Sequence, residues 1–287
     1  MFLRNNFSLF KIATFLLTIL FTAVSFSTET PIFDYLGRLI RYPGKEEIVC
    51  PVQNSKTGVI LAIGQSNAAN HAEKRMVTKY PTKVVNYFNG KCYQAASPLL
   101  GATGDEGEFL TPLADDLIGM GVYEQVVIVL SGMDGTPIAY WQKGAVLNQM
   151  LLKVVDELKQ KYQITEIIWH QGETDVFAKT SKDQYVELFN SLISSLRPSG
   201  LKTPPIYYAI ATLCGPKWYS DNPVAKAQLS LASIQDKIYL AANTDQLVPF
   251  NERYGKPYPC HFTEVGQKKV AYTFAQAIAK NKAVPNT

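Results

Sequence analysis

The residues best suited to chemistry are a serine early in the chain and a histidine near its end. Ser66 directly follows an apolar stretch, within the run Gly64-Gln65-Ser66-Asn67. A serine hydroxyl at that place can act as a nucleophile if a base takes its proton, although a serine that opens a helix is also a common N-cap. His261 lies in a late polar segment, before the last amphipathic stretch. The pattern predicts a Ser66–His261 pair, with local packing of the histidine as the alternative.

A serine nucleophile also requires hydrogen-bond donors for the oxyanion that forms on the attacked carbonyl. Gln171 offers a side-chain amide, and Gly104 or Gly107 offers a backbone N–H, although glycines in a loop are more often turn formers. The chain has no glycine-rich nucleotide-binding motif. Its histidines and cysteines also lack the spacing of zinc sites, so a metal site is not expected.

Apolar and amphipathic runs alternate along the chain, which predicts the elements that must position these residues. Buried strands are expected at 58–63, 83–88, 125–130, 165–170 and 206–211. Helices are expected at 146–162, after Ser181, after an Asn222 cap and after Thr263. This alternation indicates one α/β domain, a doubly wound parallel sheet with helices on both faces. Ligands bind beyond the carboxyl ends of such strands, where polar and glycine residues follow each predicted strand.

Two blocks of residues resemble those of a known enzyme family. The run Gly64-Gln65-Ser66-Asn67 after a buried strand, together with the block Trp169-His170-Gln171-Gly172-Glu173-Thr174-Asp175, resembles the sialate O-acetylesterase-type branch of the SGNH hydrolases. That branch includes carbohydrate acetylesterases. The segment from Cys260 to Gly266 is similar to the family's histidine block. The resemblance extends over about residues 58–275.

The resemblance implies a flavodoxin-like fold and the hydrolysis of O-acetyl esters, often on sugars, with no metal or organic cofactor. Carried over by position, it implies Ser66 as the nucleophile and His261 as the base. The implied oxyanion hole consists of the Ser66 N–H, the Gly104 N–H and the side chain of Gln171. The residues expected to shape the site or hold its loops are Gln65, Asn67, Glu173 and Asp175.

One position departs from the family pattern. The family usually places an aspartate three residues before the histidine, and this chain has Tyr258 there. The aspartate of a triad fixes the histidine tautomer and stabilises the imidazolium, which a neutral phenol cannot do by charge. We therefore expect either a carboxylate from another segment beside the histidine or a Ser–His dyad with reduced turnover. The candidate acids are Asp245, which we place slightly ahead, Glu252 and Glu173.

Residues 1–27 have the pattern of a secretory signal peptide, and residues 28–287 would form the esterase domain. Arg4 and Lys11 precede a short apolar stretch that small residues follow. A retained membrane anchor is the alternative, but the stretch is short for a full span. The pattern predicts a secreted or periplasmic protein without stable membrane insertion. Oxidising compartments permit disulfides, and we expect the pairs Cys50–Cys92 and Cys214–Cys260.

The composition limits the function classes. Of the 287 residues, 47% are hydrophobic and 18% charged, which permits a sizeable core and argues against disorder. The net charge of +4, or +2 without the leader, is too weak to indicate nucleic acid as the partner. The leading interpretation is an exported serine esterase that removes O-acetyl groups from a carbohydrate, either sialic acid or an acetylated polysaccharide. The alternatives are an SGNH lipase or thioesterase, and a carbohydrate-binding protein that has lost catalysis.

Overall fold

A mixed sheet of eight strands forms the centre of the molecule in the computed structural model, which describes residues 30–197, 204–215 and 218–283. The predicted leader lies outside the described residues. The strands are β1 (Ile32–Phe33), β2 (Leu39–Arg41), β3 (Glu47–Ile48), β4 (Thr57–Gly64), β5 (Val84–Phe88), β6 (Lys91–Gln94), β7 (Gln125–Leu130), β8 (Glu166–His170), β9 (Ile206–Ile210), β10 (Ile238–Asn243), β11 (Arg253–Tyr254) and β12 (His261–Phe262). The helices are α1 (Leu110–Gly119), α2 (Val146–Leu158), α3 (Glu173–Phe177), α4 (Lys182–Leu196), α5 (Pro223–Leu229), α6 (Thr244–Leu247) and α7 (Glu264–Ala283).

The order of strands in the central sheet is β10-β9-β8-β4-β7-β5-β6-β3. The neighbours from β10 to β5 run parallel, whereas β6 and β3 are added antiparallel at one edge. The strands β4, β7, β8, β9 and β10 follow the flavodoxin-like order 2-1-3-4-5, with β5 as an extra parallel strand beyond β7. The predicted fold class is therefore confirmed, with the correction that the sheet is mixed rather than purely parallel.

The buried strands separate two hydrophobic cores, because successive side chains of a strand point to opposite faces. In β4, Val59, Leu61 and Ile63 belong to one core, which α2, α4 and α5 complete. Ile60 and Ala62 belong to the other core, against α1 and α7. Since both faces of the sheet are covered, β4 reads as a continuous apolar run, as parallel strands in such folds do.

The five predicted strands are present with ends that differ by no more than a residue, and the predicted Asn222 cap is confirmed. Ser181 accepts a hydrogen bond from Gln184 N, and Asn222 accepts one from Ala225 N. The helix predicted over 146–162 ends earlier, at Leu158. The last helix contains Gly266 near its start. A Cβ there would lie 2.7 Å from Val248 Cγ1, so close packing accounts for a glycine in this turn.

Both predicted disulfides are present. Cys50 pairs with Cys92, and Cys214 pairs with Cys260. The second bridge joins the segment after β9 to the residue directly before β12. Among the described helices, none combines the length and the apolar composition that crossing a membrane requires.

Candidate active site

Ser66 lies at the carboxyl end of β4, at the point where the strand order reverses and flavodoxin-like folds bind ligands. The backbone reaches this place through a close approach to β8, where Gln65 N donates to His170 O at 3.0 Å. Gly64 has a φ of +136°, and a Cβ there would lie 2.0 Å from that same carbonyl oxygen. Only glycine permits this approach. Ser66 then begins a single helical turn, Ser66–Ala68, with 3% of its surface exposed.

Two of the expected oxyanion donors are backbone N–H groups without an acceptor among the described residues. Within the described residues, the N–H groups of Ser66 and Gly104 donate to no acceptor, whereas Gly107 N donates to Ala72 O at 2.8 Å. Gly104 has a φ of +80°, and a Cβ there would lie 2.3 Å from Asn70 O and 2.7 Å from His71 Nε2. The geometry therefore favours Gly104 over Gly107 as the donor, and it admits no side chain at that position.

The side chain of Asn67 ties the serine turn to both residues that flank His261. Asn67 Nδ2 donates to Cys260 O at 3.1 Å, and Asn67 Oδ1 accepts from Phe262 N at 3.3 Å. Cys260 O also accepts from Arg253 Nη1 at 2.8 Å. In this way the residue after Ser66 fixes the backbone on either side of the histidine. No hydrogen bond joins Ser66 Oγ to His261 in the described part of the chain, and such bonds often tighten only when substrate binds.

His261 belongs to a cluster that sequence reasoning did not identify. The ring of His71 lies 5.5 Å from the ring of His261, centroid to centroid, and the ring of Tyr254 lies 5.8 Å away. One ring nitrogen of each histidine and a carboxylate oxygen of Asp134 all lie within 4.8 Å of one another. His71 follows the serine turn after β4, and Asp134 follows β7. Their position at the strand ends was the sole signal in the sequence.

The electrostatics of His261 suit a general base. Burial lowers the pKa of His261, the neighbouring His71 lowers it further, and Asp134 and Glu106 act in the opposite direction. The imidazole is therefore neutral at pH 7 and can accept a proton.

The sequence matches the family described as carbohydrate esterase, sialic acid-specific acetylesterase, over residues 56–280. The chain belongs to this acetylesterase family. The match includes Ser66, the Trp169–Asp175 block and His261. No curated protein matches the sequence.

Solved structures show the same fold as this acetylesterase. A protein from Arabidopsis thaliana superposes with a TM-score of 0.60 at 20% identity, over 79% of this chain and 98% of that one. The NanS protein gives a TM-score of 0.59 at 14% identity, over 81% and 99%. A carbohydrate acetylesterase from Xanthomonas citri gives 0.53 at 17% identity, over 79% and 57%.

The hydrogen bonds of Gln171 in the acetylesterase do not fit the expectation that its side-chain amide donates to the oxyanion. Its Nε2 donates to Asp175 Oδ2, to Thr136 O at 3.1 Å and to Gln65 Oε1 at 3.3 Å, and the residue is fully buried. Gln65 Oε1 also accepts from Gly172 N at 3.3 Å. Gln65, Gln171 and Asp175 thus form a buried polar network that holds the loop after β8, and this geometry leaves Gln171 no free N–H.

The three carboxylates considered as partners of His261 are engaged elsewhere. Asp245 accepts from Thr212 N at 2.7 Å and from Leu213 N at 2.8 Å. Glu252 pairs with Lys269. Glu173 accepts from Asn67 Nδ2 at 2.9 Å and is fully buried, and burial raises its pKa to about 7. The carboxylate that the fold places beside His261 is that of Asp134.

Proposed function

We propose that this acetylesterase is an exported serine hydrolase that removes O-acetyl groups from a carbohydrate, either sialic acid or an acetylated polysaccharide. The observation that carries the proposal is the Asn67 clamp. It joins the turn that bears Ser66 to the two residues beside His261, which supports the pairing of this nucleophile and base at the switch point of the sheet.

The reaction follows from the chemistry of these groups. A ring nitrogen of His261 takes the proton of Ser66 as Oγ forms a bond to the acetyl carbon. The N–H groups of Ser66 and Gly104 hold the oxyanion. The bond between the acetyl carbon and the sugar oxygen then breaks, and the imidazolium returns the proton to that oxygen. Water attacks the acetyl-serine with His261 again as the base, and acetate leaves with the serine restored.

Asp134 takes the place of the aspartate that Tyr258 replaces. Its carboxylate lies near a ring nitrogen of His261 and stabilises the imidazolium by charge. Tyr258 itself is half exposed on the loop before the histidine. We assign Gln65, Asn67, Gln171, Glu173 and Asp175 to positioning: they hold the serine turn, the histidine segment and the loop after β8.

Export is part of the same proposal. The signal-peptide pattern of residues 1–27 supports it, and so do the two disulfides, because such bonds persist in oxidising compartments. N-terminal sequencing of the protein recovered outside the cytoplasm tests this point. A start near residue 28 is expected, and a chain retained in the cytoplasm with its first residues intact contradicts it.

Acetate release from a panel of acetylated glycans, including acetylated sialic acid and acetylated xylan, tests the activity. Ser66→Ala and His261→Ala should each reduce turnover by roughly 10⁴-fold or more. Ser131→Ala is the matched control, because Ser131 is a buried serine after β7 whose hydroxyl has no partner within the described residues. Hydrolysis of long-chain acyl esters but not of acetyl esters would indicate a lipase or thioesterase. Glycan binding without turnover would indicate a binding protein.

A further inference from the structure

Three metal-ligating side chains meet at the mouth of the candidate active site. They are His71 from the segment after the serine turn, Asp134 from the loop after β7, and His261 from β12. One ligand atom of each lies within 4.8 Å of the ligand atoms of the other two. Two imidazoles and one carboxylate are a ligand set that zinc and other first-row transition metals accept in proteins.

The distances are close to what one ion requires. Bonds of about 2.0–2.1 Å from zinc to nitrogen or oxygen keep any two ligands within roughly 4.2 Å of each other. The cluster therefore needs to contract by less than about 1 Å. Asp134 is exposed and can supply this movement by rotating its side chain.

Two further features favour a cation at this place. Thr103 Oγ1 accepts from Asp134 N at 2.8 Å and shares a hydrogen bond of 3.3 Å with His71 Nε2, so one hydroxyl holds two of the three ligands together. The carboxylate of Glu106 accepts a hydrogen bond from Tyr254 OH, and the ring of Tyr254 lies 5.8 Å from the ring of His261. The mouth is thus acidic as well as rich in imidazole, and acidic surroundings raise the local concentration of cations.

We propose that His71, Asp134 and His261 bind a divalent transition-metal ion such as Zn²⁺, and that the bound ion inhibits the esterase. The inhibition rests on the proposed function, in which His261 is the base. A neutral imidazole has one lone pair and one N–H, so a metal on either ring nitrogen leaves no lone pair for the proton of Ser66. Metal and proton therefore compete for the same histidine.

The test uses the chain without a polyhistidine tag and zinc chloride as the probe. Isothermal titration calorimetry should show one zinc site, and acetate release should fall with zinc and return when a chelator is added. Each variant is compared with itself without zinc, so a change in basal turnover cancels. His71→Ala and Asp134→Asn should each raise the half-inhibiting zinc concentration by at least about 10-fold, the least that loss of a supporting residue usually costs a metal site.

Asp156→Asn is the matched control, since Asp156 is an exposed aspartate on α2 that pairs with Lys159, and its zinc response should equal that of the wild type. Three results overturn the proposal: no zinc binding in the calorimeter, equal inhibition of the wild type and both ligand variants, or activation by zinc. A different result separates the two proposals. If neither the wild type nor any variant releases acetate, but calorimetry shows weaker zinc binding in His71→Ala and Asp134→Asn, then the metal site is supported and the proposed esterase activity is wrong.

Discussion

Replacing Glu173 with glutamine changes a buried carboxyl group that supports the clamp on the histidine segment. Glu173 Oε1 accepts from Asn67 Nδ2 at 2.9 Å, whereas Oε2 is buried without a partner in the described part of the molecule. Burial raises the pKa of Glu173 from 4.5 to about 7, against the opposing effects of the Asn67 hydrogen bond and the charge of Arg253. Between pH 4.5 and about pH 7, the carboxyl of Glu173 is therefore protonated in the folded protein and ionised in the unfolded chain.

The sign and size of the effect follow from these two pKa values. Below pH 4.5 the carboxyl is protonated in both states, and above about pH 7 it is ionised in both. Between these values only the unfolded chain is ionised, so the wild type loses stability as the pH rises through this window. At about 1.4 kcal/mol for each pH unit, the loss amounts to about 3 kcal/mol relative to the Glu173→Gln variant.

Urea unfolding of the wild type and Glu173→Gln, repeated from about pH 4 to about pH 8, measures this loss directly. The difference in unfolding free energy should shift in favour of the variant by about 3 kcal/mol across the window and then stay constant. The control is Glu187→Gln, at an exposed position of α4, which measures how the unfolding free energy changes when a glutamate that is not buried is replaced by glutamine. A difference that does not change with pH, or one that shifts in favour of the wild type as the pH rises, would refute the reasoning.

Three further substitutions separate the proposed roles. Gly104→Ala should reduce kcat on the order of 10²–10³-fold by displacing an oxyanion donor, whereas Gly121→Ala, with a similar φ of +72° and nothing within 4 Å of its Cβ, should leave kcat unchanged. Asp134→Asn, assayed with a chelator present, should reduce kcat/KM by roughly 10²-fold or more, and near-normal turnover would leave a Ser–His dyad. Gln171→Ala should lower the unfolding free energy by about 1–3 kcal/mol, because it removes a partner of the buried Asp175. A fall in its kcat beyond 10²-fold without loss of stability would restore Gln171 as an oxyanion donor.

The fold was predictable where elements are buried on both faces or carry standard caps. The apolar run of β4 and the Asn222-Pro223 pair are examples. The strand β10 was missed although residues 238–242 are all apolar; it lies at the edge of the sheet, where only Ile238 and Ala242 of its six residues are buried. The helix α1 was missed because the residue at its N-cap position, Phe109, cannot cap it through a side chain. The first N–H groups of the helix donate instead to the carboxylate of Glu108, which lies one position earlier in the chain.

The candidate site was predictable as far as its residues follow strands or belong to compact motifs. Ser66 and His261 are of this kind, and so is the Cys214–Cys260 bridge beside the histidine. The approach of His71 and Asp134 to His261 depends on three separate segments of the chain, two loops and the strand β12, and no spacing in the sequence encodes it. The direction of the Gln171 amide depends on a buried acceptor, Asp175, that competes with the oxyanion for the same N–H groups. Such competition is decided by packing in three dimensions.

The central claim is that Ser66 is the nucleophile, and covalent trapping tests it most directly. An activated phosphonate ester reacts with the serine that a neighbouring base has made nucleophilic and leaves a stable adduct. Peptide mass spectrometry should find one adduct per chain, on Ser66, in step with the loss of acetate release. Ser66→Ala should take no label, while Ser131→Ala should be labelled as the wild type is. Labelling of another residue, or full activity in protein labelled at Ser66, would contradict the account.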